Sequence, residues 1–486
     1  MTKELRRLSI IMLAMFVALF ASTSWIQVVQ ASDLGENSHN RRALYDSFEV
    51  QRGAIIAGDQ VIASSVPSTD IYSWQRQYTD PQMWAPVTGF INPVLGSSTG
   101  IEQAMNRELS GTASTQFLSR IEQIISGQPP RGSNVLLTLD PAVQKAAFDA
   151  LGSYEGAVVA LDPKTGRVLA LVTSPSFDTN TLAEHDSKAV NSAYDALLAE
   201  PTNPLWNRAT GDSLNPPGST FKLVVASAAL ASGRYTPDST FENPATYVLP
   251  GTSTTLHNFD GGQCGPGDTV TLATALRLSC NIPMAQLAVQ LGDDAIRTEA
   301  EKYGFDTSFD IPIPTHASVY PAGPLSDDVT AQTGFGQSNV KASPLQMAMV
   351  SAGIANKGVV MNPRMVDRVV ATDLTVQKTF EDTQFGRALS EKDASTMTTM
   401  MIANVQNGAA SGARIDGVDV AGKTGTAEHN PGDPYTLWFT GFAPAADPKI
   451  AVAVMIENGG GLGQSGTSNG IAAPIAKKVI EAVLSR

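Results

Sequence analysis

Histidine and cysteine are scarce in this chain. Its 486 residues include five histidines (His39, His185, His257, His316 and His429) and two cysteines, Cys264 and Cys280. The histidines are scattered, and none stands at ligand spacing from a cysteine, so the pattern of a metal centre is missing. No glycine-rich loop joins a strand to a helix, which removes the usual nucleotide site, and no cofactor is expected. Basic residues are outnumbered. Lys and Arg total 33 against 46 Asp and Glu, and the net charge of −13 has the wrong sign for nucleic acid. There is no internal repeat.

One uncharged run stands out, Leu8–Val29, and it is long enough to span a bilayer. Lys3, Arg6 and Arg7 before it predict a cytoplasmic Met1 and export of everything after the run. A cleaved signal peptide is the competing reading, because Val29-Gln30-Ala31 has the small-residue pattern of a cleavage site. No cysteine for lipid modification follows the run. A chain this long predicts two soluble domains beyond it.

The most informative stretch is Pro216-Pro217-Gly218-Ser219-Thr220-Phe221-Lys222. A serine is a weak nucleophile unless a base takes its proton. A lysine three residues later on a helix lies on the same face, one turn away. A helix starting near Ser219 would place the hydroxyl where backbone N–H groups favour developing negative charge. Leu223–Ala231 is apolar enough to bury that helix, and Gly233 suits its end. Ser-x-x-Lys alone means little, since Ser338-Asn339-Val340-Lys341 repeats it. The signal is the ordered set: Ser219-x-x-Lys222, then Ser279-Cys280-Asn281, then Lys423-Thr424-Gly425. Two decoys lack that order and context. Ser38-His39-Asn40 lies upstream in a polar stretch, and Lys164-Thr165-Gly166 reads as a hairpin turn.

The motif set is shared by penicillin-binding proteins and serine β-lactamases. Much of the chain resembles a class B penicillin-binding protein, close to the actinobacterial penicillin-binding protein A group. Arg52-Gly53, Gly100-Ile101-Glu102 and Leu109-Ser110-Gly111 resemble landmarks of that family's N-terminal domain. Leu137-Thr138-Leu139-Asp140 with Gln144, Asp162-Pro163, Ser174-Pro175-Ser176-Phe177-Asp178 with Asn180, and Gly336-Gln337 with Pro344–Ala348 resemble its transpeptidase domain. Two features depart from the family's pattern: Ala57-Gly58-Asp59-Gln60 replaces its usual turn, and the middle residue of Ser-x-Asn is a cysteine.

The fold class expected is mixed α+β. A β-lactamase-like transpeptidase domain, with a central antiparallel sheet flanked by helices, follows one transmembrane helix and a smaller non-catalytic domain. The boundaries are 1–31 for the cytoplasmic tip and anchor, 32–133 for the N-terminal domain and 134–486 for the transpeptidase. Helices are expected at Ile101–Leu109 and Gln116–Ile125, with a linker at Gly127–Gly132. Strands are expected at Val135–Leu139, Ala157–Leu161, Val168–Val172, Tyr435–Phe442 and Ile450–Glu457, and a closing amphipathic helix at Ile471–Leu484. Strands first and last with helices between suggest one sheet built from both ends of the domain. The chain stops after that helix, so no further C-terminal module is expected.

The resemblance implies D,D-transpeptidation of peptidoglycan stem peptides and inhibition by β-lactams. Ser219 would attack the penultimate D-Ala carbonyl, and Lys222 would act as the base. Ser279 would relay a proton between Lys222 and Lys423. Asn281 would bind the substrate amide, or else merely cap a helix. Lys423, Thr424 and Thr426 would hold the terminal carboxylate, Gly425 would let the substrate backbone approach, and the N–H groups of Ser219 and Thr426 would form an oxyanion hole. Cys264 and Cys280, close in sequence and exported, predict a disulfide, with two buried free thiols as the alternative. The partners implied are stem peptides, β-lactams, the cytoplasmic membrane and a division or elongation complex. Two other functions fit the motifs. A β-lactamase is disfavoured because no Glu-x-x-Leu-Asn follows Asn281. A non-catalytic scaffold is disfavoured by the intact motifs. The roughly 100 residues before Asn134 are too few for a glycosyltransferase.

Overall fold

The computed structural model describes residues 2–30, 34, 48, 50–113, 131–259 and 261–485. The expected helix Gln116–Ile125, the Ser38–Asn40 decoy, the cleavage point after Ala31 and most of the linker lie outside them. The apolar run is helical. A helix over Thr2–Ser24 continues through Trp25–Val29, and the stretch Lys3–Val29 has none of its length buried.

Five antiparallel strands form the central sheet, ordered Ala421–Ala427, Thr436–Ala443, Ile450–Ile456, Gly156–Leu161, Val168–Ser174. The first three strands follow the helical middle of residues 134–486 and the last two precede it, as the sequence pattern suggested. Side chains alternate across each strand. Val158, Ala160, Val452 and Val454 face helices Pro141–Leu151 and Ala472–Leu484. Ala157, Val159, Ala451 and Ala453 face the opposite core, where helix Pro344–Ala355 lies. Both faces are covered, so the strands read as continuous apolar runs. Helix Pro344–Ala355 is buried along almost its whole circumference for the same reason.

A second sheet has six strands, ordered Val376–Thr379, Val366–Val370, Asn134–Leu137, Ile55–Ala57, Gln60–Pro67, Trp74–Tyr78. The strand expected at Val135–Leu139 therefore joins this sheet and not the central one. It runs parallel to Ile55–Ala57 and antiparallel to Val366–Val370. Glu102 lies beneath this sheet, fully buried. It accepts from Arg52 Nε and Arg76 Nε, both at 2.6 Å. The Arg-Gly and Gly-Ile-Glu landmarks thus meet in one ion cluster. The same cluster breaks the helix expected at Ile101–Leu109 into Gly100–Ala104 and Asn106–Leu109. A continuous helix would pair the Glu102 carbonyl with Asn106 N–H; here that carbonyl accepts from Arg52 Nη2 at 2.6 Å.

Two further landmarks join the N-terminal part to the central sheet. Asn180 closes a pair of bonds with the Tyr78 backbone, at 2.9 Å each way. Gln144 Nε2 donates to the carbonyls of Met83 and Leu171.

Candidate active site

Ser219 sits in a tight 3₁₀ turn, Gly218–Phe221, that runs directly into helix Lys222–Ala231. The α-helix thus begins three residues after the serine rather than at it. The turn is wedged against the edge strand Ala421–Ala427. Gly218 has φ +51°, and a Cβ there would lie 2.7 Å from the Thr426 carbonyl oxygen. A Cβ on Gly425 would lie 2.6 Å from the Pro217 carbonyl oxygen. This glycine lets the strand approach the serine turn, a different reason from the substrate approach expected of it. Residues Lys222 to Leu230 are all buried, so the helix is rigidly held.

Lys222 and Lys423 are both fully buried. Lys222 Nζ donates to the Ser279 carbonyl at 2.7 Å and to Asn281 Oδ1 at 2.8 Å. Lys423 Nζ donates to Ser279 Oγ at 2.7 Å and to the Thr424 carbonyl at 2.8 Å. All three motifs therefore converge on Ser279. Among the described residues no hydrogen bond joins Lys222 Nζ to Ser219 Oγ. Burial, and then the charge of Lys423, push the Lys222 ammonium well below the usual lysine range. Burial lowers Lys423 to about 7.

The second motif has an unusual backbone. Ser279 adopts a left-handed conformation, φ +64°, which is costly for a residue with a Cβ. Its neighbour Cys280 is bonded to Cys264, so the expected disulfide is present. In the chain-entropy model a loop of this length stabilises by roughly 3 kcal/mol. Asn281 does stand at the start of helix Ile282–Leu291, but its side chain makes no cap bond. Its carboxamide is committed to Lys222.

Thr424 Oγ1 donates to the Ala409 carbonyl, and Thr426 Oγ1 shares a hydrogen bond with Ser468 Oγ. Ser219, Ser279, Asn281, Thr424 and Thr426 all line one cavity of about 540 Å³. Other walls were not legible beforehand. They are the hairpin around Leu256–Phe259, Glu428, and Thr467–Asn469. The glycine-rich run Gly459–Gly463 marks a loop near the last of these, but no motif singles out its chemistry. The decoys lie elsewhere. Ser338 and Lys341 are in irregular chain, and Lys164 is an exposed turn residue paired with Asp447. His429 bonds Thr436 Oγ1.

The family model for the penicillin binding protein transpeptidase domain matches residues 156–481. This chain belongs to the penicillin-binding transpeptidases. Residues 52–135 of this transpeptidase match the penicillin binding protein A dimerisation domain. It is 40% identical to the peptidoglycan D,D-transpeptidase PbpA of Mycolicibacterium smegmatis over 494 residues, covering 100% of this chain and 99% of that one. Among solved structures, the ceftriaxone acyl-enzyme complex of penicillin-binding protein A from M. tuberculosis matches with a TM-score of 0.87 at 39% identity, over 90% of this chain and 100% of that one. The penicillin G acyl-enzyme complex of the same protein matches at 0.84 and 38%, over the same shares.

Proposed function

We propose that this transpeptidase cross-links peptidoglycan stem peptides ending in D-Ala-D-Ala, through an acyl-enzyme on Ser219. The observation that carries this reading is the convergence of two buried lysines on Ser279, beside Ser219, in one cavity. Ser219 Oγ forms a bond to the penultimate D-Ala carbonyl carbon. Neutral Lys222 takes the hydroxyl proton. Ser279 passes a proton to the departing amine as the C–N bond to the terminal D-Ala breaks. Lys423 and Thr424 hold the terminal carboxylate, and that negative charge raises Lys423 back towards its protonated form. Asn281 binds the substrate amide. The N–H groups of Ser219 and Thr426 bind the carbonyl oxygen as it becomes an oxyanion. An amine of a second stem peptide then attacks the acyl carbon and frees Ser219. A β-lactam enters by the first half of this route.

Residues 134–486 carry the reaction. Residues 32–133 form a non-catalytic platform, which the family resemblance suits to partners in division or elongation. Leu8–Val29 holds the protein in the cytoplasmic membrane with the cavity outside. If so, protein recovered from native membranes starts at the original N-terminus; a mature chain starting at Ser32 would favour a cleaved signal.

The reaction is tested with the full chain in detergent micelles, a synthetic D-Ala-D-Ala stem peptide and a free amine acceptor. The expected product has lost one D-Ala and gained the acceptor, as read by mass. Release of no D-Ala at all would contradict the reading.

A further inference from the structure

Asn258 has no place in the three motifs, yet it holds the second one. It is 6% exposed and sits at the end of the hairpin strand Thr255–His257, on the cavity wall. Its Oδ1 accepts from the backbone N–H of Asn281 at 3.0 Å and of Ile282 at 3.1 Å. Its Nδ2 donates to the Gly262 carbonyl at 2.9 Å. The adjoining His257 carbonyl accepts from Asn281 Nδ2 at 3.3 Å.

The N-terminus of helix Ile282–Leu291 explains why this matters. The first N–H groups of a helix need acceptors, and the side chain at the cap position is the usual one. Here that position is Asn281, and Pro283 has no N–H to offer. A cap side chain bonds the N–H of the second or third helical residue; the second here is Pro283, and Asn281 makes no such bond, its Oδ1 turning to Lys222 instead. Asn258 supplies an acceptor from outside the helix for the N–H groups that no cap side chain reaches. Its carboxamide oxygen satisfies the N–H of Asn281 and of Ile282, and Asn281 Oδ1 is left to face Lys222 Nζ at 2.8 Å.

We propose that Asn258 is a positioning residue for the transpeptidase reaction, acting through Asn281: by binding the backbone N–H groups of Asn281 and Ile282 it fixes where Asn281 Oδ1 meets Lys222. The hairpin around 246–257 is thereby a working part of the second motif and not only a wall. The inference rests on the acyl-enzyme reading of Ser219.

The test is the second-order rate of acylation by benzylpenicillin, with the full chain in detergent micelles. Asn258→Ala should slow acylation about 10–100-fold, the scale on which small displacements of a reacting group act. Asn281→Ala should also slow it. The double variant should be no slower than Asn281→Ala alone, because Asn258 has no other route to the chemistry. Asn258→Asp keeps the acceptor for both N–H groups. Compared at a pH above the acid limb, where Lys222 is neutral in both proteins, it should restore most of the rate. This conservative variant also covers the case in which Asn258→Ala does not fold. A wild-type rate in Asn258→Ala overturns the proposal. So does a double variant whose losses multiply, or an Asn258→Asp as slow as a poorly acylated Asn258→Ala. Failure of the wild-type chain to acylate would instead remove the reading on which the inference rests.

Discussion

Lys222→Ala should slow acylation of Ser219 by benzylpenicillin by about 10²–10⁴-fold, the usual contribution of a positioned general base. Burial sets the strength of this base. Lys222 lies in the fully buried start of its helix, and within hydrogen-bond range of Nζ it has the Ser279 carbonyl and the Asn281 carboxamide oxygen, both neutral. Desolvation disfavours the ammonium, and the nearby Lys423 charge adds repulsion. The working base is the neutral amine. Its folded pKa is lowered, so the base form persists to lower pH than an ordinary lysine allows. On the acid side the wild-type rate should fall as the pH drops through that lowered value and the amine takes up a proton. In Lys222→Ala this acid limb should vanish along with most of the rate. Stopped-flow acylation against pH measures both, with circular dichroism reporting the fold. A variant that acylates at the wild-type rate would assign the base elsewhere.

Glu102→Gln should destabilise the protein by about 3–5 kcal/mol, the scale for removing one partner of a buried ion pair. The carboxylate is fully buried beneath the six-stranded sheet and receives both guanidinium groups at 2.6 Å. Burial alone would raise its pKa. The two arginines outweigh that and hold it below the usual carboxylate range. A depressed carboxylate stabilises the fold at neutral pH and loses that contribution as pH falls through the folded value. Gln keeps the shape and removes the charge, leaving Arg52 and Arg76 buried against each other. Thermal unfolding of the full chain in micelles should show a lower midpoint at neutral pH. The difference between wild type and variant should narrow on acidification below the glutamate range. Equal midpoints at neutral pH would mean that the cluster contributes no net stability.

What was legible in the sequence was the chemistry. Ser219, Lys222, Ser279, Asn281 and Lys423 could be picked out because a nucleophile and its base need fixed spacing on one helix, and because the three motifs occur in one order. The structure brings all five together. Four of the five central strands were legible too, since strands buried on both faces read as uninterrupted apolar runs; the edge strand Ala421–Ala427 carries the third motif instead of such a run. The six-stranded sheet was not. Its strands come from residues 55–78, 134–137 and 366–379, and short segments such as Val366–Val370 carry no local mark of their distant partners. The break at Met105 follows from Arg52, which lies far away in sequence and meets the helix only in the fold. The bond from the Asn281 backbone to Asn258 was hidden for the same reason. Gly425 was recognised, but its role depends on the Pro217 carbonyl, a neighbour that the sequence does not reveal.

The central claim is that Ser219 forms a long-lived acyl-enzyme. Intact mass spectrometry of the full chain, extracted in detergent and mixed with excess benzylpenicillin, tests it most directly. One added penicilloyl mass is expected, located on the peptide containing Ser219, persisting because no Glu-x-x-Leu-Asn motif follows Asn281 to supply a deacylating carboxylate, and absent from Ser219→Ala. Rapid turnover to free penicilloate would make the chain a β-lactamase, and an adduct that survives in Ser219→Ala would contradict the mechanism outright.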